Sequence, residues 1–333
     1  MRRLLLSAWP EKVSVRIFLV LTALLVIHAS AKAAIIAYEG FDYPAGTTIT
    51  NQNGGLGWGS AWSAISISVP ATNRPGSLTY ANGNAMMVTG NHLLVGYADG
   101  NDPAWPAVGG NTVAAQRQLV NTQSLGAVVG GAGGTIWLSF LCQNYNTEIG
   151  EGHTGFRETK LLLLSGATTN TNGIANVAGS ERLNIGVPNT YVTGASDTYS
   201  LYAGGNYVSS GVTTVRGAQY LGTAATMLLV RIDLDGTTAN DTASLWVNPV
   251  LGPNESTLGT AQAVYTDVNL DWINGFRFQA GNANLYGTNS TWSVDEFRIG
   301  TDFNDISPVP EPSVTVLLGV ALSGLWRSIR RRK

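Results

Sequence analysis

The chain has 333 residues, with 19 Lys and Arg against 21 Asp and Glu, for a formal charge of −2. Charged residues make up 12 % and hydrophobic residues 44 %, which is about half the usual share of charge and enough apolar content to exclude a disordered chain. A single cysteine, Cys142, excludes any disulfide within the chain.

Arg2, Arg3, Lys12 and Arg16 form a basic start, and Ile17 to Ile27 is an apolar run. Ala29-Ser30-Ala31 and Ala31-Lys32-Ala33 then offer small-x-small cleavage sites, with Ala31 and Ala33 at the cut. Residues 1–33 therefore read as a signal peptide, the alternative being an uncleaved anchor. Export places the rest of the chain outside the cytoplasm.

Residues 34–308 form the body. It keeps nine basic and nineteen acidic residues, a balance of −10, which argues against nucleic acid or anionic lipid as an electrostatic partner. Period-two alternation recurs along it. Ile136, Leu138, Phe140 and Cys142 share one strand face, as do Leu183, Ile185 and Val187. Leu228, Val230, Ile232 and Leu234 follow, then Ala243, Leu245 and Val247, then Phe276, Phe278 and Ala280, each set alternating with more polar positions. Asn82-Gly83, the Gly130 to Gly134 run, Asn172-Gly173, Asp235-Gly236 and Asn274-Gly275 are turn signals between them. The pattern predicts an all-β fold, an antiparallel β-sandwich in one domain with polar outer faces. Cys142 reads as a small buried hydrophobe.

The candidates for chemistry are sparse. Asp233, Asp235 and Asp241 are weak calcium candidates; without an acidic twelfth position this is no EF-hand, and a hairpin turn with two outward carboxylates is the simpler reading. His92 and His153 lack a Gly-x-Ser-x-Gly partner and read as turn or loop histidines. Zinc is disfavoured and no other cofactor is implied. Trp58, Trp62, Trp105, Tyr202 and Tyr207 lie in loop-like Gly/Asn-rich surroundings. Trp58 and Trp62 read as plugs for the ends of the core, whereas Trp105 and Tyr207 are candidate sugar contacts. In Ser293-Val294-Asp295-Glu296-Phe297, Val294 falls on one strand face and Phe297 on the other. A bulge near Glu296 reconciles them, and Asp295 reads as a structural carboxylate.

Residues 309–333 close the chain. Pro310-Glu311-Pro312 is extended because proline removes backbone donors and keeps its predecessor out of the helix. Val314 to Trp326 is apolar but shorter than the ~20 residues of a stable span. Arg327, Arg330, Arg331, Arg332 and Lys333 form a basic stop that stays cytoplasmic.

This three-part tail resembles the PEP-CTERM sorting signal of bacterial exosortase substrates. The body carries Glu39-Gly40-Phe41-Asp42-Tyr43, Gly54-Gly55-Leu56-Gly57-Trp58, Leu245-Trp246-Val247-Asn248-Pro249 and Val294-Asp295-Glu296-Phe297-Arg298-Ile299-Gly300. These resemble exported PEP-CTERM proteins with a concanavalin A-like, laminin-G-like jelly roll. The resemblance implies a transmembrane sorting helix at 309–333, signal peptidase and exosortase as processing partners, transient contact with the inner membrane, and a final place at the cell surface or in an exopolysaccharide biofilm matrix. It admits lectins, glycosidases and structural modules. Glycosidases of that fold carry a Glu-x-Asp-x-x-Glu strand, and neither Glu148 with Glu151 nor Asp295 with Glu296 fits it. The expectation is a noncatalytic surface or matrix protein. A carbohydrate-binding module with the same address is the alternative, and a divergent glycosidase the third reading.

Overall fold

The computed structural model describes residues 35–65, 71–96, 113–120, 124–128, 133–144, 157–165, 181–187, 198–202, 214–219, 224–236, 240–282 and 291–307. The segments read above as a signal peptide and a sorting tail, with Ala31, Ala33, Pro310, Glu311, Pro312, Arg327, Arg330, Arg331, Arg332 and Lys333, lie outside them, as do Trp105, Tyr207, Glu148, Glu151, His153 and Asn172-Gly173. Among the described residues no helix is long and apolar enough to cross a membrane.

Among the described residues seventeen strands carry the fold. They are β1 (Ile35–Glu39), β2 (Ser63–Ile65), β3 (Thr72–Arg74), β4 (Ala81–Asn82), β5 (Asn84–Ala85), β6 (His92–Gly96), β7 (Val113–Gln118), β8 (Gly134–Asn144) and β9 (Arg157–Ser165). The rest are β10 (Glu181–Val187), β11 (Thr198–Tyr202), β12 (Thr214–Gln219), β13 (Thr226–Leu234), β14 (Asp241–Val247), β15 (Ala263–Val268), β16 (Ile273–Asn282) and β17 (Thr291–Gly300). One sheet runs β15-β14-β13-β8-β17-β6-β3, with β1 also on β17; the other runs β12-β11-β10-β9-β16-β7-β2. β4 and β5 make a small hairpin. Ladders between consecutive strands in both sheets are antiparallel, so the sandwich expected from the alternation is present.

The faces predicted to be apolar meet between the sheets. Ile136, Leu138, Phe140 and Cys142 of β8, Leu228, Val230 and Ile232 of β13, and Val294, Phe297 and Ile299 of β17 oppose Leu161 and Leu163 of β9, Leu183 and Ile185 of β10, and Phe276 and Phe278 of β16 in one cluster. Burying each such side chain contributes about 1.5–3 kcal/mol. Phe278 sits edge-on to Phe297, ring centres 5.2 Å apart, and to Phe140 at 5.7 Å, the arrangement that aromatic quadrupoles favour.

Two expectations need correction. The outer face of the first sheet is not polar. Trp137, Leu141, Met227, Leu229 and Trp246 form a second buried cluster there with Leu78, Tyr80, Met86, Leu251, Leu258, Phe303 and Ile306. A third layer of irregular chain thus covers this sheet, and its apolar residues alternate with the core residues of the same strands. Asn274-Gly275 is not a turn either; it lies inside β16, where ladder bonds to β7 and β9 outweigh its turn preference. Asn82-Gly83 and Asp235-Gly236 are turns as expected, with φ of 80° and 76° at their glycines.

The bulge foreseen in β17 is present. Asp295 faces Leu141 of β8 and Arg298 faces Ser139, so one extra residue is accommodated between them, and Glu296 has φ 53°. The bulge also divides the neighbours on the other side: Thr291–Val294 pair with β6, and Phe297–Gly300 pair with β1.

Candidate functional site

The residues singled out above that fall within the described segments have these places. Cys142 is buried; burial pushes its thiol up to about 12, and its Sγ contacts the Tyr199 hydroxyl at 3.6 Å. His92 opens β6 instead of sitting in a loop, and its Nδ1 is 2.6 Å from the Gly76 carbonyl. Asp233 Oδ1 accepts from Thr135 Oγ1 at 2.8 Å and Arg231 Nε at 2.9 Å. Asp241 is fully buried and accepts from the backbone N–H of Asp235 at 3.0 Å and of Leu270 at 2.6 Å. It ties the β13–β14 connection to the chain before β16. Among the described residues no group of three or more His, Cys, Asp or Glu is placed to hold a metal.

Trp62 is buried and Trp58 half-buried, packed on Phe276, Phe278 and Phe297, as expected of core plugs. Their surroundings hold a group that the sequence reading missed. Glu39, fully buried, accepts from Trp62 Nε1 at 2.8 Å, Tyr43 Oη at 2.9 Å and the Phe41 N–H at 3.0 Å, and pairs with Arg117. The Arg117 guanidinium lies 5.2 Å from the Trp58 ring centre and 5.6 Å from that of Trp62. The Glu39-Gly40-Phe41-Asp42-Tyr43 motif is thus the wall of a buried ion pair.

Asp295 and Glu296 are equally structural. Asp295 accepts from Ser77 Oγ and the Leu78 N–H, the latter at 2.8 Å, and from the Glu296 N–H at 2.8 Å. Glu296 accepts from the Thr89 N–H at 2.7 Å, from the Tyr38 hydroxyl at 3.1 Å, and from Arg298. The two carboxyls pin both ends of the strap 77–89 onto the first sheet. Burial, with the Glu296 charge adding to it, pushes Asp295 up to about 8.

The polar concentration lies on the second sheet, on the face turned away from the core. Because Leu161, Leu183, Leu201, Phe276 and Phe278 point inward, their alternates point outward. Register aligns these in two rows. One runs Gln116, Arg277, Leu162, Asn184, Tyr202; the next runs Ala114, Gln279, Lys160, Gly186, Ser200. Outward strand positions are normally wet, yet Lys160, Asn184, Ser200, Tyr202, Arg277 and Gln279 are all buried. Arg277 donates to Gln116 Oε1 at 3.0 Å from Nη2 and 3.2 Å from Nε; burial lowers its pKa, and the Glu181 charge opposes this. The Lys160 ammonium lies 5.9 Å from the Tyr202 ring centre. Neither amide atom of Asn184 has a hydrogen-bond partner. Gly186 has φ 149°, and a Cβ there would fall 2.2 Å from the Thr159 carbonyl oxygen. Only glycine fits, which leaves a gap in the row between Lys160 and Ser200.

Tyr202, expected in a loop, is therefore part of this sheet face. Asn184, Arg277 and Gln279 were visible in the sequence as the polar partners of alternating strands, whereas Lys160 of β9 was not singled out. What the sequence does not show is that they are buried together. Trp272, an aromatic not singled out from the sequence, is 58 % exposed.

No protein-family model matches the chain, and no curated protein matches it. Among solved structures it is similar to an endo-1,3-β-glucanase from Streptomyces sioyaensis, with TM-score 0.45 and 11 % identity over 81 % of this chain and 96 % of that one. It is similar also to an endo-β-1,4-glucuronan lyase from the fungus Trichoderma reesei, with TM-score 0.38 and 12 % identity over 74 % and 97 % of the two chains. A third is the carbohydrate recognition domain of Emp47p, with TM-score 0.37 and 8 % identity over 80 % and 97 %. At scores and identities this low, none of them carries an argument about activity.

Proposed function

We propose that this protein is an exported, noncatalytic saccharide-binding protein of the cell surface or extracellular matrix, built on a jelly-roll sandwich, with the outward face of the second sheet as its binding surface. The observation that carries the reading is the buried polar band, in which the Asn184 amide is unsatisfied. A buried polar group without a partner costs about 1–3 kcal/mol, and an apolar side chain at that place would be the stable choice. We take the retained amide as stability traded for a ligand-binding role. The Asn184 amide offers both a donor and an acceptor, which suits the hydroxyls of a polyhydroxylated chain.

Export and sorting complete the reading. The signal peptide at 1–33 and the Pro310-Glu311-Pro312 tail support signal peptidase and exosortase as processing partners, and the surface or matrix as destination. The decisive experiment takes protein purified from its native host through a glycan array and a polysaccharide hydrolysis and elimination panel. Binding without product release is expected. Turnover of any polysaccharide replaces the noncatalytic reading with the enzymatic one, and absence of both leaves a purely structural matrix role.

A further inference from the structure

The opposite sheet carries a second polar concavity, of about 640 Å³, between the strap, the end of β8, the residues that precede β13 and the residue that follows β14. This size falls within the range of small-molecule sites. Its floor is Gln143, which pairs with Ser293 and alternates with the core residue Cys142. One wall is Ser77 to Asn82, and another is Asn248.

The lining has a definite chemistry. It holds hydroxyls and carboxamides, and Tyr80 is its one ionisable side chain, with the phenol committed to the Pro249 carbonyl at 2.6 Å. A charged ligand would find no counter-charge on these walls. Among the described residues the Thr79 hydroxyl and the Gln143 amide bond no other protein group. Asn248 Oδ1 accepts from the Met227 N–H at 3.0 Å, which leaves its Nδ2 to donate. Donors and acceptors are thus both present in a neutral space, as a ligand hydroxyl requires, since it gives one hydrogen bond and takes others.

The walls are held in place before any ligand arrives. Asp295 fixes Ser77 and Leu78 from behind. Asn82 Nδ2 donates to the Asn248 carbonyl at 3.0 Å, and the Leu251 N–H donates to the Asn82 carbonyl at 2.7 Å. Asn248 itself sits at φ 52°, fixed there by its bond to Met227. Rigid walls with unpaired polar tips lower the cost of ordering on binding. Ala81 and Ala224 add only small side chains to the lining.

We infer that this concavity is a binding site for a neutral polyhydroxylated ligand, an uncharged saccharide unit, separate from the polar band of the second sheet. The inference rests on the groove alone, so it stands or falls apart from the reading of that band. The test uses the full-length protein and calorimetric titration with cellohexaose, laminarihexaose and mannohexaose as neutral probes, and hexagalacturonate as an acidic comparator. At least one neutral probe should bind, and Thr79→Ala and Gln143→Ala should each weaken it about fivefold or more. Ala224→Phe should fill part of the concavity and abolish binding. Val264→Ser, at an exposed position of β15, should leave neutral binding unchanged. Thr79 and Gln143 hold nothing else together, so their variants should melt with the parent, and circular dichroism verifies that they are folded. The inference is overturned if no neutral probe binds, or if binding survives all three groove variants, or if Val264→Ser weakens it as much as they do.

Discussion

Asp295 is the residue whose surroundings make the sharpest demand on chemistry. Its carboxyl is shut away from water between the first sheet and the strap, next to the Glu296 carboxylate, and its pKa is raised to about 8, chiefly by burial. The folded protein therefore holds a proton there that the unfolded chain releases near the ordinary carboxylate value of ~4. The stability this provides is complete below that value and is lost as the pH rises toward 8. Burial raises the pKa of Glu296 too, so the parent melting temperature should fall over this range for both reasons. Asp295→Asn keeps the shape and removes one titration. Its melting temperature should decline less than the parent's between pH 5 and pH 8.5, and parallel curves for the two proteins would contradict this account. That Asp295 reads as structural was legible in the sequence from the phase conflict around it. The Glu39–Arg117 pair was not, because its partners are 78 residues apart and alternation says nothing about which distant charges meet.

At the scale of elements, β8, β10, β13, β14 and β16 followed from alternation, since Leu228, Val230 and Ile232, or Phe276 and Phe278, can share a buried face in only one way. Their outward faces did not follow. Leu229 and Trp246 look like ordinary outward positions, and only the irregular chain folded over them makes them core. Lys160 and Gln279 look solvent-facing, and the assembled sheet buries them. Period two assigns a residue to a face; it does not say what covers that face. The strap 77–89 is the element most dependent on a few bonds, held by Asp295 at one end and by Glu296 with Arg298 at the other. It should open as a unit. In Asp295→Ala, hydrogen exchange at the Leu78 amide should quicken about tenfold or more, while amides of β9 and β16 keep their protection. Equal protection of the strap and the central strands in this variant would show that the second apolar cluster alone holds it down.

At the scale of the whole molecule, two antiparallel sheets enclose one aromatic-rich core, and each sheet turns a polar concentration outward, one at Asn184 and one at Gln143. On the proposed reading, an exported chain with two such faces would hold two saccharide strands at once. Its processing is checked by intact mass: material from the native host should lack residues 1–33 and the basic end of the tail, and a mass that includes Lys333 would sink the exosortase reading. The central claim is that the buried band on the second sheet is kept for a saccharide at the expense of stability. The measurement that tests it most directly pairs the dissociation constant of the glycan found on the array with the melting temperature, for the parent and for Asn184→Leu. Affinity should fall about tenfold or more while the melting temperature holds or rises, because the substitution removes an unsatisfied amide from a dry site. Unchanged affinity with a lower melting temperature would show that Asn184 serves the fold and that the saccharide binds elsewhere.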